Sequence, residues 1–266
     1  MSRHRRLGYT EHSHDGPPVL MIMGFGMRGD AWRRQSSVLA EHYRVVTFDH
    51  AGIGESDPVP TRRLTMSDLV TDTVSILDML GWSEAHIVGI SMGGMVAQNL
   101  ALQHPDRVLS LALVATHAGG VKRGLPPLEG IKRFVLSNVG SQRMESLAKL
   151  LFPPEYLANH KETAIQSLRE DFRDPPPPET RLAQLHAVST HRAAPHLHKI
   201  SAPTLVVKPE KDILIHPHCS DELVRLIPGA ILETIPDAGH GIVRQTPDAL
   251  NSILLEFLNS TRTEPS

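Results

Sequence analysis

The sequence predicts an α/β architecture: a mostly parallel sheet flanked by helices, with a block of helices inserted into it. Three observations predict it. Short apolar runs rich in β-branched residues alternate with longer amphipathic stretches, the pattern of strand–helix–strand units. Those runs are apolar at consecutive positions, as strands covered on both faces should be. After residue 116 strand character disappears, and it returns only near residue 204.

In chain order, residues 7–13 (LGYTEHS) offer barely one strand before Pro17. Residues 19–23 (VLMIM) and 44–48 (RVVTF) are strands; residues 30–42 between them have helical spacing, with Trp32, Val38 and Leu39 as the apolar face. Thr65-Met66-Ser67-Asp68 fits a capping box. The helix it opens has Leu69, Thr73, Ile76, Leu77 and Leu80 at three- and four-residue steps, and Gly81 suits a left-handed stop. Residues 85–88 (AHIV) and 109–115 are strands on either side of a helix over 95–103. The block that follows holds helical patches beginning near Ile131, Met144, Glu162 and Thr180, separated by Pro and Gly. Strands return at 204–207 (TLVV) and 230–235 (AILETI), and a helix over 247–258, capped by Thr246, closes the pattern. The expected division is a sheet domain of residues 1–116 and 203–266 and a helical cap of residues 117–202.

The 266 residues are 40% hydrophobic, enough for one or two domains with a buried core. Lys and Arg total 27 against 29 Asp and Glu, a balance that leaves no electrostatic footprint for nucleic acid or an anionic membrane. No apolar run approaches the ~18 residues of a membrane span. A single cysteine, Cys219, excludes an internal disulfide and a Cys-based zinc cage. A soluble, cytoplasmic protein with no nucleic-acid or membrane partner is expected.

Gly89-Ile90-Ser91-Met92-Gly93 reads G-x-S-x-G and lies between the strand 85–88 and the helix 95–103. A strand–turn–helix junction sets its serine on a sharp, strained turn, and the small residues on both sides let neighbouring backbone approach. A serine hydroxyl is a poor nucleophile without a base that is itself oriented. Of 16 histidines, His240 stands out, because Asp237-Ala238-Gly239-His240-Gly241 directly follows the strand 230–235. That placement presents its imidazole at the same carboxyl edge of the sheet as Ser91. An acid should follow the preceding strand, where Lys208-Pro209-Glu210-Lys211-Asp212 offers both Glu210 and Asp212. Chain order is then serine, acid, histidine.

With these residues placed, the chain resembles the α/β-hydrolase fold family over nearly its whole length. Four segments carry the likeness: Met23-Gly24-Phe25-Gly26, the run from Asp49 to Ser56 (DHAGIGES), the GISMG turn and the KDILIHP…DAGH pair. The strings GISMGG and HPDRV are similar to those of small esterases, enol-lactonases and cofactor-free haloperoxidases. The resemblance implies that Asp212, followed by ILIHP, is the acid and that Glu210 is not. It also implies an oxyanion hole made by the backbone N–H groups of Phe25 and Met92, and a cap inserted after the sixth family strand. Serine at position 91 sets the chain apart from haloalkane dehalogenases and epoxide hydrolases, which carry aspartate there. Two departures stand out. Relatives commonly have His-Gly where this chain has Met23-Gly24, and they usually begin with an additional antiparallel strand, so the sheet is expected to be trimmed at one edge.

Asp49, His50 and Ser56 together invite a second site, but the family parallel and the Gly-rich spacing point to a structural turn in which Asp49 and Ser56 bond local backbone. His186, His191, His196 and His198 have no acidic partner nearby in sequence and are expected to form a surface cluster, so no metal is expected. Cys219 is expected on a helix, buried or half-buried. No phosphate loop or metal motif calls for a cofactor.

The expected activity is that of a carboxylesterase- or lactonase-like serine hydrolase, acting through Ser91, His240 and Asp212 and an acyl-enzyme. The alternatives keep fold and triad for C–C bond cleavage, thioester cleavage, perhydrolysis or acyl transfer, or make the protein a non-catalytic ligand receptor. Phe134, Met144 and Phe152 in the cap are expected to roof an acyl pocket, which favours a small, uncharged, apolar ester or lactone.

Overall fold

The computed structural model describes residues 5–120, 128–136 and 143–261. Among the described residues one sheet holds seven strands: β1 (Tyr9–Glu11), β2 (Pro18–Ile22), β3 (Arg44–Phe48), β4 (Ala85–Ile90), β5 (Val108–Val114), β6 (Thr204–Pro209) and β7 (Ile231–Ile235), in the spatial order β1-β3-β2-β4-β5-β6-β7. Among these strands β1 alone is antiparallel, setting Tyr9 opposite Phe48 and Glu11 opposite Val46. The remaining pairs are parallel, with Ile22 beside Gly89, Ile90 beside Val114 and Val114 beside Val207. A single three-residue antiparallel strand therefore forms the edge that the sequence marks as short.

Successive strand residues leave the sheet on opposite faces, and the core divides accordingly. Leu20, Ile22, Val46, Phe48, Ile87, Leu111, Leu113 and Val206 are buried on the face covered by α2 (Met66–Met79) and α3 (Met92–Gln103). Val19, Met21, Val45, Val88, Ala112, Val114, Leu205 and Val207 are buried on the other, under α1 (Arg33–Leu39) and α10 (Pro247–Ser260). Both faces being covered explains why the strands read as unbroken apolar runs. The capping box of α2 is formed: the Thr65 hydroxyl accepts the Asp68 N–H at 3.2 Å, and the Asp68 carboxylate accepts the Thr65 N–H at 2.7 Å. Gly81 follows that helix at φ 68°.

Two local expectations are corrected. In α1 it is Gln35 and Ser36 that are buried with Leu39, while Val38 is half-buried; Gln35 donates to the Val243 carbonyl at 3.1 Å, a partner far along the chain. Thr246 stands before α10 without capping it. Its hydroxyl instead faces the Ile242 carbonyl of the short helix α9 (Ile242–Gln245), which ends at the same point and competes for it.

Between β5 and β6 the chain forms α4 (Leu128–Leu136), α5 (Arg143–Leu151), α6 (Pro154–Asp171) and α7 (Pro178–Thr190). Ala148, Phe152, Ala164 and Leu168 make a small core of their own. Ala183 and Ala187 of α7, with Leu197 and Ile200 beyond it, are buried in the main core instead. The last helix to name, α8 (His218–Leu226), packs on β6 and β7. Among the described residues no helix is long and apolar enough to cross a membrane.

Candidate active site

Because β2, β4, β5, β6 and β7 run parallel, their carboxyl ends share one edge, the edge where open α/β sheets bind ligands. Ser91 is the first residue beyond β4, at φ 55° and ψ −121°. A side chain in that left-handed region costs about 1–3 kcal/mol and persists only where the surroundings over-determine it. They do so here. The Ser91 N–H donates to the Val114 carbonyl at 3.0 Å, and the Ser91 carbonyl accepts the Thr116 hydroxyl at 2.7 Å and the Met95 N–H at 3.2 Å. Glycine on each side is a steric requirement: a Cβ at Gly93 would lie 2.1 Å from the Ile22 carbonyl oxygen, and one at Gly89 would lie 2.5 Å from that of Gly93.

His240 is buried in the loop after β7, with its Nδ1 2.6 Å from Oδ2 of Asp212. An ionised carboxylate only accepts, so Nδ1 carries the proton and Nε2 is left as an acceptor. The other Asp212 oxygen accepts the N–H groups of Leu214 at 2.7 Å and Ile215 at 2.9 Å, which fixes the carboxylate as well as the ring. Glu210 turns away, about half exposed, and faces Lys208.

Ser91 and His240 line one cavity of about 510 Å³, together with Phe25 and Met92. Among the described residues neither the Phe25 nor the Met92 N–H donates to a protein acceptor, as expected for a turn and for the first residue of a helix. The turn at Phe25 is tied to α7, since the next N–H, of Gly26, donates to the buried Gln184 side chain at 2.8 Å. Phe134 and Phe152 are also in the wall, and the Phe134 ring lies 6.2 Å from that of Phe25. Met144 is not in the wall; it packs half-buried on the small core of α5 and α6.

His117, which sequence reasoning passed over, lines the cavity too. Its Nδ1 accepts the Gly119 N–H at 2.9 Å, so its Nε2 carries the proton, and burial pushes its pKa down to about 4. His191 corrects the expected surface cluster. It is buried, its ring meeting the Asn99 amide at 3.2 Å and the His117 carbonyl at 3.2 Å, and burial pushes its pKa to about 3. His196 and His198 are exposed and His186 is half-buried. Among the described residues no group of three or more His, Cys, Asp or Glu is placed to hold a metal.

The segment at Asp49 is a structural turn. Asp49 accepts the Gly29 N–H at 2.7 Å, and the Ser56 hydroxyl donates to the Asp49 carbonyl at 2.6 Å while accepting the Gly8 N–H at 2.9 Å. Buried His50, held neutral with a pKa near 4, donates from Nε2 to the Met23 carbonyl at 3.1 Å. A histidine side chain thus fastens this strand end from the neighbouring turn, although position 23 itself is methionine. Cys219 is buried, and burial raises its thiol to about 12, which leaves it inert.

A family model described as the alpha/beta hydrolase fold matches residues 17–243. The provisionally named carbamate hydrolase RutD of Caulobacter vibrioides is 28% identical over 254 residues, covering 92% of this chain and 93% of its own. Among solved structures, a thermophilic esterase from Thermogutta terrifontis is 27% identical with a TM-score of 0.83, covering 97% of this chain and 95% of that one. The enol-lactonase from Burkholderia xenovorans is 25% identical with a TM-score of 0.83, covering 97% and 98%.

Proposed function

Since this chain belongs to the alpha/beta hydrolase fold family, we propose that it is a serine hydrolase of small carboxylic esters or lactones. The observation that carries the reading is the Asp212–His240 hydrogen bond of 2.6 Å, lining up an imidazole on the cavity that also holds Ser91 at its strained turn. The Ser91 hydroxyl attacks the substrate carbonyl while His240 Nε2 takes its proton, and Asp212 holds the ring and the resulting imidazolium. The tetrahedral oxyanion is received by the N–H groups of Phe25 and Met92, neither of which has another acceptor among the described residues. His240 then returns the proton to the departing alkoxide, and an acyl-serine remains. Water, deprotonated by the same imidazole, attacks that ester; the acid leaves and Ser91 regains its proton.

The segment 117–202 acts as the cap, with Phe134 and Phe152 packing on the apolar part of the substrate. Similarity to an esterase and an enol-lactonase supports an ester or lactone, and similarity to RutD places carbamates, which offer the same carbonyl chemistry, on the substrate panel. The test is hydrolysis of p-nitrophenyl esters, lactones and aryl carbamates by purified protein and by its Ser91→Ala variant. Loss of at least ~10³-fold in kcat, with folding retained, is expected. Equal turnover by the variant would overturn the reading.

A further inference from the structure

We propose that the cavity holds a carboxylate of its substrate at Arg244, so that the natural ester or lactone carries a free acid; the substrate class rests on the hydrolase reading above, whereas the anion site does not. Arg244 lies on α9, one helical turn beyond His240, and lines the same cavity. Its side chain is only 5% exposed. One guanidinium nitrogen, Nη2, faces Asp171 at the end of α6. That carboxylate, 2% exposed, is shared, because its Oδ1 also accepts from Arg33 at 3.0 Å. Two guanidinium groups therefore divide one carboxylate, and the excess charge is positive. Arg33 is 41% exposed and water screens it; Arg244 has no such relief. Among the described residues, Nη1 of Arg244 has no hydrogen-bond partner.

A buried guanidinium with an idle donor is costly unless something accepts from it. The strain is visible on both sides of the pair: removal from water pushes the Asp171 carboxyl up and the Arg244 guanidinium down. Arg143, Arg181 and Arg192 line the cavity, and among the described residues no Asp or Glu does. The internal stretches 121–127 and 137–142, outside the described residues, contain neither Asp nor Glu in their sequence. Among the described residues Arg143 brings a second buried donor without a partner, Nε, and neutral His117 on the same wall carries its proton on Nε2. Among the described residues these donors share an otherwise apolar wall with no carboxylate, which matches a ligand that carries an acceptor group. The planar guanidinium fork fits a carboxylate, and a free acid is the anionic group that also tolerates the apolar remainder of the wall. The expectation of an uncharged substrate counted only the apolar residues of the cap.

Calorimetry on the Ser91→Ala variant at pH 7.5 tests the site without turnover, using monomethyl adipate against dimethyl adipate. The half-ester should bind at least ~10-fold tighter than the diester. In the Arg244→Met/Asp171→Asn background, which removes the pair together and leaves no buried charge alone, that preference should vanish. Should the double variant fail to fold, Arg244→Lys keeps the charge toward Asp171 but loses the fork, and the preference should fall several-fold. A diester that binds as well as the half-ester, or a preference that survives without Arg244, overturns the proposal. Wild-type hydrolysis of both esters without preference would remove the anion site and leave the hydrolase reading standing. Arg244-dependent binding with no hydrolysis of either ester would do the reverse.

Discussion

Asp212 and His240, 28 residues apart in the chain, meet through a 2.6 Å hydrogen bond between Oδ2 and Nδ1 at the ends of two neighbouring parallel strands. The backbone N–H groups of Leu214 and Ile215 hold the other carboxylate oxygen, so the ring is oriented by a group that is itself oriented. Asp212→Asn should leave the fold intact and lower kcat by ~10³–10⁴, because the amide favours the wrong imidazole tautomer. Glu210→Gln should stay within about two-fold, since exposed Glu210 faces Lys208, which keeps Asp221 as a partner at 3.0 Å. Ester kinetics on both variants decide the assignment, and the opposite ranking would move the acid to Glu210.

Glycines that are needed for space should behave differently from one that is needed only for its dihedral angle. Gly93→Ala would place a methyl 2.1 Å from the Ile22 carbonyl oxygen, which belongs to β2 and cannot retreat without disturbing the sheet. Gly81→Ala meets nothing within 4 Å and bears only the cost of φ 68°, about 1–2 kcal/mol. Thermal denaturation should show a small drop in Tm for Gly81→Ala and a much larger one, or loss of soluble protein, for Gly93→Ala. Equal drops would contradict the steric account.

Phe134, Phe152 and Met144 separate into wall and support. Phe134→Ala and Phe152→Ala should change the ratio of kcat/KM between short and long acyl esters several-fold, since each methylene buried against them is worth ~0.8 kcal/mol. Met144→Ala should lower Tm and leave that ratio alone, because Met144 packs on the small core of α5 and α6 and not on the cavity. A changed ratio in Met144→Ala would place it in the wall after all.

Stability should fall on mild acidification. Burial lowers the pKa of His50 and His117 to about 4 and of His191 to about 3, from 6.5 in the unfolded chain. As pH drops through 6.5 the unfolded state binds these protons and the folded state does not, so unfolding becomes easier until the folded groups titrate. Asp72 acts with the opposite sign: burial raises it to about 6, so the folded state binds its proton first. Three histidines outweigh it in this window. The urea midpoint should decrease between pH 7.5 and 5.5, and His191→Asn should shrink the decrease. A midpoint that is flat or rises on acidification would show that the histidines are not buried as described.

The turn at Ser91 was legible because its signal is local: a strand, five residues with glycine at both ends, and a helix. The same holds for the capping box at Thr65; the order of strand ends put both Glu210 and Asp212 near His240, and the family resemblance chose Asp212. What escaped was set by packing between distant elements. The buried state of His191 depends on Asn99 of α3 meeting the end of α7, and helical spacing in α5 defines a face for Met144 without saying what that face meets. The pairing of Arg244 with Asp171 joins α9 to the end of α6. Its one visible trace was the position of Arg244, a helical turn beyond His240. Thr246 illustrates the limit of local rules, since the helix that ends at it offers its hydroxyl another acceptor.

The central claim is that Ser91 becomes covalently acylated, and labelling with a fluorophosphonate ester followed by intact-mass and peptide mass spectrometry tests it most directly. The phosphonate mimics the tetrahedral intermediate and reacts only where a base and an oxyanion hole activate a nucleophile. One adduct per chain, on the peptide containing Ser91, is predicted, with none on Ser91→Ala and much slower labelling of His240→Ala. Labelling at another residue, or labelling of Ser91→Ala at the wild-type rate, would contradict the account.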